Sequence, residues 1–333
     1  MADVAAVAGV ALKTVSRVVN GEPNVAPATQ QKVRDAVELL GYRPDLQARS
    51  LRYSDRRTRT RTIGLLISSV SNPFGAMLHQ GVERVAAPRG VAVFAASLND
   101  DPEVERGMVE AFINRRVDGL ILTTVASSQA YLRSEIARGT PAVFVDRAPR
   151  GLDGDTIMAD NVGGAINGTR HLVTQGHRRI AFLGDLETIE TASLRRAGYR
   201  QALAEARHDV ESALCVMGLR DEAAAHAAVV ALLTTPNAPT AIFSSQNLLT
   251  IGAVRALQEL GMSRKIALVG FDDFDLADLL DPPVTVVAQS PLLSGELAAN
   301  RVFARLGGND GPPSAALVPT MLHRRGSGEI PPN

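Results

Sequence analysis

Two groups of residues in this 333-residue chain have types and spacings suited to chemistry. Near the start, Lys13, Arg17 and Asn20 recur at i, i+4 and i+7, so on a helix they form one polar stripe. Long cationic donors on an exposed helix reach phosphates and base edges, and Arg17 suits bidentate contact with guanine O6 and N7. The bland alternative is a small helical bundle whose charged stripe faces water. Further on, polar side chains gather just after apolar, strand-like runs: Asn72 with Phe74, Asp146 with Arg147, Asp160 with Asn161, Gln246 with Asn247, then Asp272 and Gln289. Arg195 falls in a helical stretch after Gly184. A guanidinium and a carboxylate facing across a cleft grip hydroxyls or base edges, with Phe74 as an apolar wall. Asp160, Asn161 and Gln289 equally suit the satisfaction of backbone groups at strand ends.

Other chemistries find no support. The chain has no G-x-x-x-x-G-K-[ST], no G-x-G-x-x-G and no G-x-S-x-G, which removes the common phosphate-cradling and nucleophile-elbow sites. Its six histidines show no H-x-x-x-H or H-E-x-x-H spacing, and the single cysteine, Cys215, makes neither a disulfide framework nor a metal site by itself. Asp272-Asp273 can be drawn as an acid and a base, but adjacent residues at a strand end point apart. No enzyme activity, metal or cofactor is expected.

The elements that must position these residues fall into two blocks. The stretch from Ser54 to Thr62 is free of apolar residues and periodicity, so it reads as a linker. Residues 1–61 hold eleven Lys/Arg against six Asp/Glu, and because the whole chain is neutral the remainder is acidic by the same five charges. A basic head on an acidic body suits a module facing a polyanion.

In the head, Val4, Ala5, Val7 and Ala8 mark the inner face of a first helix, Gly9 a tight turn, and Val15, Val18 and Val19 the buried side of a second. A third, from Pro27 to Leu40, buries Val33, Val37 and Leu40 before the stop at Gly41. This is a helix-turn-helix pattern.

After the linker, strand and helix signals alternate. Strands are expected at 62–67, 91–95, 118–122, 142–146, 156–160, 179–184, 240–244, 266–271 and 285–289, many of them near-continuous apolar runs. Helix-length segments such as 75–89, 102–115, 163–175, 193–206 and 247–260 lie between them. So many strands make one sheet too wide, so two doubly wound parallel-sheet subdomains are expected, with ligands beyond the carboxyl ends of the strands.

With these residues in view, the chain resembles the LacI/GalR family of bacterial repressors nearly end to end. The head resemblance rests on Asp3 to Val10, Thr14 to Gly21 and Leu40 to Pro44, and that of the hinge on Ala48 to Arg52. In the core it rests on Thr62 to Leu66, Ser71 to Phe74, Arg116 to Leu120 and Val269 to Asp273.

The resemblance implies a sequence-specific DNA-binding regulator acting as a dimer on a palindromic operator, controlled by a sugar or sugar derivative in a periplasmic-binding-protein-like core. Leu12, Lys13, Thr14, Arg17 and Asn20 would read DNA. Pro44 would start a short hinge helix in which Leu51 wedges a base step in the minor groove, with Ala48 as its small packing position and Arg52 beside it. The implied organisation is a helix-turn-helix domain at 1–44, hinge and linker at 45–61, and a core at 62–333. Within that core, one subdomain spans about 62–160 and 290–318, the other about 161–289 and 319–328. Asn72, Phe74, Asp146, Arg147, Arg195, Arg220, Asn247 and Asp272 would hold the effector, with Arg195 and Asp272 matching the family's principal ligand contacts.

Departures from the family pattern carry consequences. The family usually places a Thr cap ahead of the first helix and Ser before the second and third; this chain begins Met1-Ala-Asp3 and has Ala11 and Ala26. Lost cap oxygens predict a marginally stable head. The family commonly carries Asp where Asn247 stands, and its aromatic platform falls near Leu219-Arg220 in a chain without tryptophan. Arg147, Arg195 and Arg220 together would admit an anionic effector such as a sugar phosphate or sugar acid. A transporter's solute-binding protein shares the core fold, but would need an export signal and has no use for a basic helical head. No apolar run approaches the roughly 20 residues that span a bilayer. The start lacks a basic segment followed by an apolar one, so a cytoplasmic protein is expected. The tail after Arg325 has no heptad pattern for a tetramerising coiled coil.

Overall fold

The computed structural model describes residues 1–19, 22–42 and 59–332, which divide into two compact units, Met1–Thr60 and Arg61–Asn333. In the first unit, α1 (Ala2–Ala8), α2 (Leu12–Val19) and α3 (Pro27–Leu39) pack around Val4, Ala8, Val15, Val33 and Ala36. Gly9 turns the chain between α1 and α2 at φ 63°, a left-handed conformation that costs a residue without Cβ nothing.

Two sequence expectations need correction. Val7 is 51% exposed, because Val4 and Ala8, one turn apart, already fill the inner stripe of so short a helix. Leu40 is 43% exposed, because α3 ends at Leu39 and Gly41 turns the chain away; Ala36 takes the core position instead.

Neither α1 nor α3 has a side-chain N-cap, and the cap residue of α3 is Ala26. A serine there can accept from an otherwise unpaired N–H of the first turn, typically worth about 1 kcal/mol. Ala26→Ser is therefore expected to slow amide exchange along α3 about fivefold. Unchanged exchange would mean that solvent already satisfies that turn.

The second unit alternates strands and helices from its first residues. It begins β1 (Thr62–Ile67), α4 (Pro73–Ala86), β2 (Ala92–Ser97), α5 (Pro102–Asn114), β3 (Gly119–Leu122), α6 (Arg133–Ala137), β4 (Ala142–Val145) and β5 (Asp155–Ala159). It continues α7 (Asn161–Thr174), β6 (Ile180–Leu183), α8 (Glu190–Glu205), β7 (Cys215–Val216), α9 (Glu222–Leu233), β8 (Ala241–Ser244), α10 (Asn247–Glu259), β9 (Ala267–Phe271) and β10 (Thr285–Ala288). Then α11 (Pro291–Leu306) and β11 (Ala315–Val318) return to the first sheet, and β12 (Met321–His323) joins the second.

The sheets run β2-β1-β3-β4-β5-β11 and β7-β6-β8-β9-β10-β12. All pairings are parallel except β10 with β12. Central strands are buried along their whole length because helices cover both faces of each sheet. In both sheets the winding reverses beside the first strand, and a ligand crevice belongs beyond the carboxyl ends there. The nine expected strands are all present with ends shifted by two residues at most. The additional strands β7, β11 and β12 are short edge segments.

The segment around Ile330 locks onto the second lobe. His177 is fully buried, with Nε2 2.8 Å from the Ile330 carbonyl and Nδ1 2.9 Å from Thr240 Oγ1. A carbonyl can only accept, so Nε2 carries the proton and Nδ1 accepts from the threonine hydroxyl. Burial pushes the imidazole pKa down, against the upward pull of the Ile330 carbonyl. Above about pH 6.5 neither the folded nor the unfolded histidine is charged. Below it the unfolded chain takes up a proton that the folded one resists, so stability falls with pH until the folded value is passed. Thermal melts from pH 7.5 to 5 are expected to show a steeper loss for the native chain than for His177→Gln. Parallel pH profiles would contradict this.

Candidate functional site

On the head, Lys13 and Arg17 stand exposed on the face of α2 opposite buried Val15, Leu12 is 49% exposed, and Thr14 is half-buried. Arg17 Nε lies 3.8 Å from Glu22 Oε2, a loose surface pair that leaves the guanidinium open to a stronger anion. Asn20, Ala48, Leu51 and Arg52 lie outside the described residues.

In the second unit a cavity of about 260 Å³ opens at the carboxyl ends of both sheets. All eight candidate effector residues line it: Asn72, Phe74, Asp146 and Arg147 from the first lobe, Arg195, Arg220, Asn247 and Asp272 from the second. Asp146 follows β4 and Asp272 follows β9, equivalent strands of the two sheets. Both adopt φ 70°, in the left-handed region that aspartate tolerates better than most residues. Their N–H groups bond the next strand, at Ile157 O and Val287 O, each at 2.9 Å.

Each lobe holds its own carboxylate–guanidinium pair. Arg147 Nη1 donates to Asp100 Oδ1 at 2.8 Å and to the Thr124 carbonyl at 3.3 Å, while Nη2 donates to Ser68 Oγ at 3.1 Å. Its Nε sits 3.7 Å from Asp146 Oδ2. In the other lobe, Arg195 Nε donates to Asn161 Oδ1 at 2.8 Å, and Nη1 to the Ser245 carbonyl at 2.7 Å and Asp272 Oδ2 at 3.3 Å. Its guanidinium lies 3.9 Å from the centre of the Phe271 ring. Gln289 Nε2 donates to the other Asp272 oxygen at 2.5 Å. Asn161 and Gln289 thus orient the buried pair, and Asp160 caps α7 by accepting from Gly163 N–H.

Asn72 and Asn247 join the lobes by exchanging two amide hydrogen bonds, at 3.2 and 3.0 Å. Each side-chain oxygen also accepts a backbone N–H at the start of a helix, Asn72 from Phe74 and Asn247 from Leu248.

The cavity gathers four carboxylates, Asp100, Asp146, Asp185 and Asp272, against Arg147, Arg195 and Arg220. Burial drives the Asp146 carboxyl above the usual range, opposed by Arg147 and Arg195. Burial also raises Asp185, opposed by the Leu186 N–H it accepts and by the same arginines. Arg220 is exposed at the rim and makes no ion pair with a described residue. Asp273 turns away from Asp272 and forms a two-pronged pair with Arg325 at 2.7 and 2.6 Å. Burial alone would raise Asp273, but that pair holds it low.

Asp100, Asp185 and Ser245 were not among the residues singled out from the sequence. Asp100 and Asp185 follow β2 and β6, so the rule that found Asp146 and Asp272 extends to them. Among the described residues, no group of three or more His, Cys, Asp or Glu is placed to hold a metal, and no helix is long and apolar enough to cross a membrane.

Residues 1–45 match the family described as bacterial regulatory proteins, lacI family, and residues 169–328 match a periplasmic binding protein-like domain. The ribose operon repressor of Escherichia coli K12 is 34% identical over 311 residues, 92% of each chain. The regulator GalR of Salmonella typhimurium LT2 is 31% identical over 97% of this chain and 94% of its own. Among solved structures, the lac repressor dimer bound to operator and an anti-inducer superposes with a TM-score of 0.83 at 26% identity, covering 98% of both chains. The transcriptional regulator CelR in complex with cellobiose gives 0.72 at 30% identity, with the same coverage.

Head, paired lobes and cleft together define a DNA-binding transcriptional regulator, not an enzyme. The chain belongs to the LacI family, as a LacI-type transcriptional repressor with a periplasmic-binding-protein-like core.

Proposed function

We propose that this repressor binds a palindromic DNA operator as a homodimer and changes its grip when a neutral monosaccharide occupies the cleft. The observation that carries the effector assignment is the 260 Å³ cavity walled by carboxylate–guanidinium pairs from both lobes. Its volume falls below the roughly 300–1,000 Å³ of pockets that take drug-sized ligands, which favours one sugar ring over two. Four carboxylates already outnumber three arginines, and both buried arginines are committed to carboxylates. An anionic effector would have to compete with Asp100, Asp146 and Asp272 for guanidinium groups that already hold partners, so a neutral polyol fits better than a sugar phosphate or sugar acid. The similarity to a ribose operon repressor and to a cellobiose-bound regulator supports a sugar.

Residues 1–44 serve as the reader, 45–61 as hinge and linker, and 62–333 as the effector core, in the cytoplasm where the DNA is. Leu12, Lys13, Thr14, Arg17 and Asn20 serve to read the major groove, where Arg17 suits guanine and Leu12 apolar base edges. Ala48, Leu51 and Arg52 act at the minor groove. A single head reads too few base pairs for genomic specificity, so two heads related by a twofold axis are needed. Met77 on α4, Phe94 on β2, and Leu276 and Leu279 in the segment after β9 are large apolar side chains between 45% and 74% exposed, as a dimer face requires.

Calorimetry with D-ribose, other neutral monosaccharides, cellobiose and sugar phosphates tests the effector assignment. Saturable binding of a neutral monosaccharide is expected; tight binding confined to phosphorylated or acidic sugars would reverse it.

A further inference from the structure

Among the described residues, hydrogen bonds bridge the lobes across the cleft at two places. One is the Asn72–Asn247 amide pair. The other uses a residue outside the cavity wall: Glu190, the first residue of α8, whose Oε2 accepts the Ala148 backbone N–H at 2.8 Å. Ala148 directly follows the Asp146–Arg147 pair of the first lobe, and Glu190 precedes Arg195 by little more than one helical turn. Arg147 and Ala148 from the first lobe and Thr188 and Ile189 from the second crowd this junction, and Ile189 is buried. The bond therefore ties the residue after one charged pair to the helix that carries the other.

We infer that Glu190 is a positioning residue that sets the spacing between the Asp146–Arg147 and Arg195–Asp272 half-sites, so that one ligand meets both. This rests on the cleft being the effector site. Neither arginine crosses the cleft: the acceptors of Arg147 all lie in the first lobe and those of Arg195 in the second. Their separation is thus set by whatever joins the lobes. Because the donor is a backbone N–H, the selectivity of the tie lies with Glu190.

Glu190 also places negative charge in the first turn of α8, which by itself favours the helix. Two substitutions separate these roles. Glu190→Gln keeps an oxygen to accept the Ala148 N–H but loses the charge; Glu190→Ala loses both. In the full-length protein, amide exchange at Ala148 is expected to be about tenfold faster in Glu190→Ala and close to native in Glu190→Gln, with the amides of β8 as an internal reference for global unfolding. With D-ribose as probe, Glu190→Ala is expected to bind about tenfold more weakly and Glu190→Gln to restore the affinity. Native exchange at Ala148 in Glu190→Ala would overturn the inference, as would a Gln variant behaving like the Ala variant, since charge at the helix end would then be the working feature. If the native chain takes up no D-ribose, ribose is not its sugar, while the exchange comparison still decides the role of Glu190.

Discussion

Replacing Arg195 by alanine is expected to destabilise the second lobe by about 3–5 kcal/mol, the cost of removing one partner of a buried ion pair. Asp272 would keep the Gln289 amide but lose the guanidinium it pairs with, and the Asn161 oxygen and Ser245 carbonyl would each lose a donor. Phe271 would lose the guanidinium packed on its ring. The same change removes half of the charged pair proposed to grip the effector. Thermal unfolding checks the first consequence and sugar calorimetry the second. A double Arg195→Ala, Asp272→Ala variant should lose less than the two single losses combined, because the stranded carboxylate goes with its partner. A native melting temperature in Arg195→Ala would show that the pair contributes little to stability, and native sugar affinity would remove it from the ligand site.

Glu105→Ala is expected to be of similar severity, although its side chain lies outside the cleft. Glu105 on α5 is fully buried and accepts four hydrogen bonds: Val125 N–H at 2.5 Å, Ala126 N–H at 2.7 Å, Gln129 Nε2 at 3.1 Å and Tyr131 Oη at 2.7 Å. Gln129 Nε2 keeps the Ala126 carbonyl, but the two main-chain N–H groups and the Tyr131 hydroxyl would be stranded at about 1–3 kcal/mol each, so the loss reaches about 3 kcal/mol or more. The consequence extends to the site: this carboxylate pins the loop whose Thr124 carbonyl accepts from Arg147, and Gln129 Oε1 accepts the Arg150 N–H. Glu105→Gln should fall between, since one of its two acceptor atoms becomes a donor. Equal unfolding temperatures for the native chain and Glu105→Ala would contradict the assignment of this carboxylate as the anchor of the loop.

Much of this was open to inspection in the sequence because parallel strands leave a simple signature. An apolar run ends, and the polar residues beyond it point into a crevice. Asp146, Arg147, Asn247 and Asp272 were found that way, and Asp100 and Asp185 obey the same rule. What pairs across the lobes was hidden. Asn72 and Asn247 are 175 residues apart, and Glu190 bonds a backbone N–H, a partner without sequence character. The Glu105 network was hidden for the same reason, since two of its donors are main-chain groups. In the head, apolar type alone misplaced Val7 and Leu40, because a core this small has room for few side chains, and position on the helix decides which enter. β11 and β12 were missed because edge strands of three or four residues, half exposed, carry little alternation.

The most direct test of regulated operator binding is selection of duplexes from a random pool by the full-length protein, followed by mobility-shift titration of the recovered sequence with and without the monosaccharide that calorimetry identifies. The expected result is a palindromic site, bound by two chains, whose affinity changes at least tenfold on sugar addition and weakens in Arg17→Ala. Recovery of no preferred duplex at low ionic strength, or a shift insensitive to every neutral sugar that binds the cleft, would contradict it.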